Sequence, residues 1–193
     1  MKKTHLACIA TALAMLEAVE LRAAVRVSPA EPTEKVVALV TSDKKYVTAS
    51  SSPGNSLDLS GLKIGSKQTF TIIDLNGADL ADGDQVQIRY TPNTGGKPDP
   101  SKSSYWREVS EGVKRGKDGD VFKVKRVETR YAFQAPSGKF VGGPAADGVL
   151  AVTEKQEGAL VVELVDLSQG IPKKPKEPAT EAPAAAPGKA ATE

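Results

Sequence analysis

Tyr105, Trp106 and Arg107 stand side by side with Tyr90 upstream, and together they form the main concentration of aromatic rings and polar donors in the chain. Rings flanked by hydrogen-bonding groups are what a sugar platform or a small-ligand site is built from. Neighbouring side chains on a strand face opposite sides, so Tyr105 and Trp106 must point apart, and one of them is expected to face solvent. Against this, aromatic residues are usually largely buried, and the expected packing puts one ring in the core and the other beneath the segment Thr91–Ser103. That segment, TPNTGGKPDPSKS, is long for a hairpin connection, and long surface loops are disproportionately functional. Pro92, Gly95, Gly96, Pro98 and Pro100 are expected to keep it from extending a strand. With Lys97 exposed on it, the candidate ligand-binding residues are Tyr90, Lys97, Tyr105, Trp106 and Arg107. The expected partner is an unknown protein or a carbohydrate on a surface.

Catalytic chemistry finds little to work with. Met1, His5, Cys8 and Met15 are the only Met, His and Cys residues of the 193. Beyond Met15, disulfides, Cys/His zinc sites, haem ligation, Ser-His-Asp triads and Cys-His dyads are therefore excluded. No phosphate loop or dinucleotide fingerprint is present. Ser-Lys and paired-carboxylate chemistry stay open on sequence grounds, but the expectation is a protein that is not an enzyme and carries no cofactor. Asp79, Asp82 and Asp84 in ADLADGDQ, and Asp118 and Asp120 in KDGD, lack the spacing of a calcium loop. Asp-Gly pairs are what tight turns need, so no metal is expected there.

Lys and Arg number 26 against 24 Asp and Glu, a net charge of +2, which gives no bulk attraction to nucleic acid or to an anionic membrane. Lys114, Arg115, Lys117, Lys123, Lys125, Arg126 and Arg130 do gather in one region, but Glu108, Glu111, Asp118, Asp120 and Glu128 interleave with them. A mixed, solvated face is the better account, with docking of an acidic polysaccharide as the alternative.

The two ends differ from the middle. Lys2 and Lys3 precede LACIATALAML (6–16), the basic and apolar regions of a secretory signal. A membrane span needs about 20 apolar residues, and Glu17 and Glu20 interrupt this one too early. Residues 1–24 are thus expected to be a signal helix, cut after Ala18 or Ala24, with the product secreted, periplasmic or held in the cell envelope. A mature chain without sulfur suits an oxidising compartment. Residues 25–35, with Pro29 and Pro32, are expected to be a linker, and 168–193, rich in Pro, Ala and Lys, a disordered tail.

Residues 36–167 must position the candidate site, and their apolar spacing is that of short strands separated by turn residues. VVALV (36–40), KYVTA (45–49), SLDLS (56–60) and QTFTIIDL (68–75) form a first set of four. The last part of this region repeats it: SDKKYVTA (42–49) matches PSGKFVGG (136–143), and FTIIDL (70–75) matches LVVELVDL (160–167). A weaker middle copy runs through VQIRY (86–90), SYWREV (104–109), Val113 and VFKVKRV (121–127), with Thr91–Ser103 enlarging its first loop. Leu39, Ile88 and Phe133 open the copies. Twelve strands in one open sheet would twist severely and leave two edges, whereas closure removes them. The expected inward residues are Leu39, Tyr46, Leu59, Phe70, Ile72, Ile88, Phe122, Val124, Phe133, Phe140, Val152, Val162 and Leu164.

Lys44-Lys45-Tyr46-Val47-Thr48-Ala49, Gly138-Lys139-Phe140-Val141 and Phe70-Thr71-Ile72-Ile73-Asp74-Leu75 carry a resemblance: the region resembles a β-trefoil, most nearly the fascin-like family. The middle copy departs from it, lacking Gly-Lys before Tyr105. The resemblance implies an all-β fold of three four-stranded repeats, a six-stranded barrel capped by three hairpins. It does not transfer a function. The Gln-x-Trp element of ricin-type lectins is missing, since Ser104 stands two places before Trp106. A protease-inhibitor loop presenting Lys97 or Lys102, as in trefoils of the soybean Kunitz type, is disfavoured because no disulfide can brace it. The expectation is a monomeric, exported, non-catalytic binding module that uses loops of the second repeat. The alternative is a structural, envelope-associated spacer with no dedicated ligand.

Overall fold

The computed structural model describes residues 30–50, 54–77, 79–110, 112–145 and 149–170. The expected signal segment 1–24, the expected linker residues 25–29 and the expected tail from 171 to 193 lie outside the described residues. The first strands are β1 (Thr33–Val40), β2 (Tyr46–Ala49), β3 (Leu57–Gly61) and β4 (Phe70–Asp74). Then come β5 (Gln85–Tyr90), the two-residue strands β6 (Asn93–Thr94) and β7 (Lys97–Pro98), β8 (Ser104–Val109), β9 (Gly112–Gly116) and β10 (Phe122–Val127). β11 (Arg130–Gln134), β12 (Phe140–Pro144), β13 (Leu150–Thr153) and β14 (Glu163–Asp166) complete the order. Three short 3-10 turns are the only helical pieces among the described residues, so the fold is all-β, and no described helix is long and apolar enough to cross a membrane.

The pairings run in a ring. β1 is antiparallel to β4, β4 to β5, β5 to β10 and β10 to β11. Tyr131 of β11 exchanges two 2.8 Å main-chain hydrogen bonds with Val162, just before β14, and β14 returns to β1 through Val37↔Asp166 to Val40↔Glu163. Each of these strands therefore has partners on both sides, which leaves no open edge in the ring. The hairpins β2–β3, β8–β9 and β12–β13 hang from β1, β5 and β11 and meet one another, as in the bridges Ser56↔Lys114 and Asp58↔Val149.

Period-2 alternation fills the interior. Phe70 and Ile72 of β4, Val86 and Ile88 of β5, Phe122 and Val124 of β10 and Phe133 of β11 are all buried. Each such side chain contributes roughly 1.5–3 kcal/mol of burial. Of the residues expected inside, Tyr46, Leu59, Val152 and Leu164 are only partly buried. All but Leu164 sit in hairpins, where one side meets solvent. Val47, Leu57, Trp106, Val113 and Leu150 fill the space between the hairpins and the ring instead. Two boundaries also move. β1 starts at Thr33, inside the expected linker, because Thr33–Lys35 pair with Asp74–Ile72 through main-chain groups that no apolar pattern reports. The segment after Tyr90 contains β6 and β7 despite its prolines, since Gly95 and Gly96 (φ 62° and 83°) supply the left-handed pair that a two-residue hairpin turn needs.

Candidate binding site

The outward face of the ring carries a row that alternation dictates strand by strand. Val36 of β1 lies opposite Thr71 of β4, Thr71 opposite Arg89 of β5, and Arg89 opposite Tyr105 of β8. Their neighbours Val37, Phe70, Ile88, Tyr90 and Trp106 point inward. Strands lie about 4.8 Å apart, so four in a row span roughly 14 Å.

The segment 91–103 folds over this row. Thr91 Oγ1 and Ser103 Oγ close its base at 2.9 Å, and Asp99 N donates to Pro92 O at 2.8 Å. Asp99 caps the 3-10 turn Pro100–Lys102, accepting from Ser101 Oγ at 2.5 Å and pairing with Lys102 Nζ at 3.3 Å. The bond from Ser101 holds the Asp99 carboxyl below its ordinary 3.8, with Lys102 adding to the effect. No disulfide is needed to brace the loop.

Between row and loop lies a pocket of about 540 Å³, within the range of small-ligand sites. Ser66, Thr69, Thr71, Thr91, Asn93 and Ser103 line it beside Tyr105, Pro98, Pro100, Val36 and Leu167, with Thr69 Oγ1 donating to Gly65 O at 2.9 Å. Arg89 is the one charged residue in the lining. Its guanidinium donates twice to Glu34, Nη1 to Oε1 at 3.1 Å and Nη2 to Oε2 at 2.6 Å. Burial alone would lower the Arg89 pKa, but Glu34, helped by the phenol of Tyr105, outweighs it and holds the pKa above its ordinary value.

The expected contacts separate. Tyr105 lies under the loop and lines the pocket. Trp106, 1% exposed, is the hub of the core, with edge-on contacts to Phe70, Phe122 and Phe133 at centroid distances of 5.8, 6.2 and 5.9 Å. A ring enclosed this way has no face to offer a ligand. Tyr90, 7% exposed, packs on Phe70 and lies under the Arg115 guanidinium, 4.7 Å from the ring centroid. Arg115 also donates to Ser104 Oγ at 3.1 Å and to the Ser50 carbonyl, and burial lowers its pKa. Lys97 and Arg107 are exposed, and neither lines the pocket.

Sequence reasoning missed Thr69, Thr71 and Arg89. The available signal was their alternation with Phe70, Ile72, Ile88 and Tyr90, which marks them as outward but not as roofed. The acidic clusters act in turns and along strands: Asp84 accepts from Ala81 N, Asp82 from Arg126 N, and Asp120 from Glu108 N. Among the described residues no group of three His, Cys, Asp or Glu side chains is placed to hold a metal. In comparison with known proteins, the chain matches no protein-family model and no curated protein.

Proposed function

We propose that the chain is an exported, non-catalytic β-trefoil module that holds a surface glycan in the pocket roofed by residues 91–103. The fold assignment is supported by the ring of six strands and the three converging hairpins, together with the repeat matches that resemble the fascin-like family. Export is supported by the Lys2-Lys3 and apolar 6–16 pattern. The observation that carries the ligand class is the lining itself. Ser, Thr and Asn residues surround one aromatic ring. Thr69 Oγ1 donates to Gly65 O, and Thr91 and Ser103 bond each other, yet their oxygens keep acceptor capacity for sugar hydroxyls. The ring and prolines offer an apolar surface for sugar C–H faces. A peptide added as a strand would need an unpaired sheet edge, and the strands beneath the pocket are all paired on both sides.

The test is a glycan array with the purified protein, followed by amide NMR titration of the hits. Ligands that shift Thr71, Thr91 and Tyr105 support the assignment. If no glycan binds, and deleting residues 92–102 leaves localisation and phenotype unchanged, the chain is a spacer instead.

A further inference from the structure

We infer that the pocket selects neutral glycans over acidic ones, and that Glu34 is the residue that sets this selectivity. The inference rests on the glycan-binding function proposed above. A guanidinium in a sugar pocket would ordinarily serve as an anchor for a uronate or sulfate, because its fork matches a carboxylate in bidentate fashion. Here the Nη edge of that fork is already taken, while Nε has no hydrogen-bond partner among the described residues. Both Nη atoms of Arg89 donate to Glu34, and the carboxylate cancels the one charge in the lining. An acidic sugar taking the same Nη edge would have to displace Glu34, and one bonding the remaining N–H groups of Arg89 would set its carboxylate beside that of Glu34. A neutral sugar meets no such repulsion and finds the acceptor oxygens of Thr69, Thr91 and Ser103, already bonded to Gly65 O and to each other, beside Ser66 and Asn93. The pair also ties Arg89, placed between Thr71 and Tyr105 in the row, to β1. The basic face farther along the chain does not alter this. Lys125 pairs with Asp82 at 4.0 Å, and neither lines the pocket.

The experiment measures affinities of the full chain for two panels matched in length. One holds neutral tetrasaccharides from cellulose, mannan and chitin, and the other holds tetrasaccharides of galacturonate and of mannuronate. A proline-rich peptide serves as a third arm. The expected result is at least tenfold tighter binding of a neutral ligand, mapped by NMR to Thr71 and Tyr105. Glu34→Gln, at an exposed strand position, frees the Arg89 fork and is expected to shrink that ratio at least tenfold by improving the acidic ligands. Tighter binding of acidic tetrasaccharides by the wild type overturns the selectivity while leaving the glycan-binding function standing. An unchanged ratio in Glu34→Gln overturns the role of Glu34. Binding of the peptide alone, or of nothing, overturns both the selectivity and the glycan-binding function.

Discussion

Two adjacent rings in β8 do different work, and substitution should separate them. Trp106 touches three phenyl rings in a dry interior, so Trp106→Ala is expected to cost about 3–5 kcal/mol in urea unfolding. Tyr105→Ala removes a half-buried ring at the pocket wall and should cost about 1 kcal/mol, while ligand-induced NMR shifts at Thr71 disappear. Its support is a glycine. A Cβ on Gly119 would lie 2.5 Å from Tyr105 Cβ, closer than real side chains approach. Gly119→Ala should therefore push Tyr105 aside, with an overpacking cost of about 1–3 kcal/mol in the same unfolding experiment and weaker ligand binding.

At the scale of elements, the loop 91–103 is ordered by its own side chains. Asp99 is the centre of that order, because it caps the 3-10 turn and pairs with Lys102. Its carboxyl sits lower in the folded protein than the ordinary 3.8, so the folded state holds its proton less tightly than the unfolded one. The bracing is thus complete above pH 3.8 and is lost as pH falls through the lower folded value. An acid titration followed by NMR should show the Ser101 amide shifting below pH 3.8, not above it. Asp99→Asn should loosen the same amide at neutral pH, seen as faster hydrogen exchange, while the β1–β4 ladder keeps its protection. The bend of this loop was only half legible beforehand. Gly-Gly announces a turn, but the clasp between Thr91 and Ser103 joins residues twelve apart and follows from where β5 and β8 place their ends.

At the scale of the molecule, closure is what makes short strands stable. β14 is the last piece of the ring, pairing with β1 along four register positions and bridged to β11 at Val162. A chain ending at residue 158 should lose the cooperative unfolding transition and the near-ultraviolet signal of Trp106, because β1 and β11 are left with open edges and the core with an open side. Retention of a sharp transition in that truncated chain would show that the ring does not need its final strand.

The chain's own pattern determined that short strands alternate their faces, where most of them lie, and which residues of β4, β5 and β10 turn inward: each is a local matter of period and of turn chemistry. Local pattern also made Thr71 and Arg89 outward-facing, and made Tyr105 and Trp106 point apart. Tertiary structure alone decided which of the two rings entered the core, which outward row received a roof, and that Glu34 met Arg89 across 55 residues of sequence. Those outcomes depend on register between strands far apart in the chain and on the closing of the ring, and no single segment encodes either one.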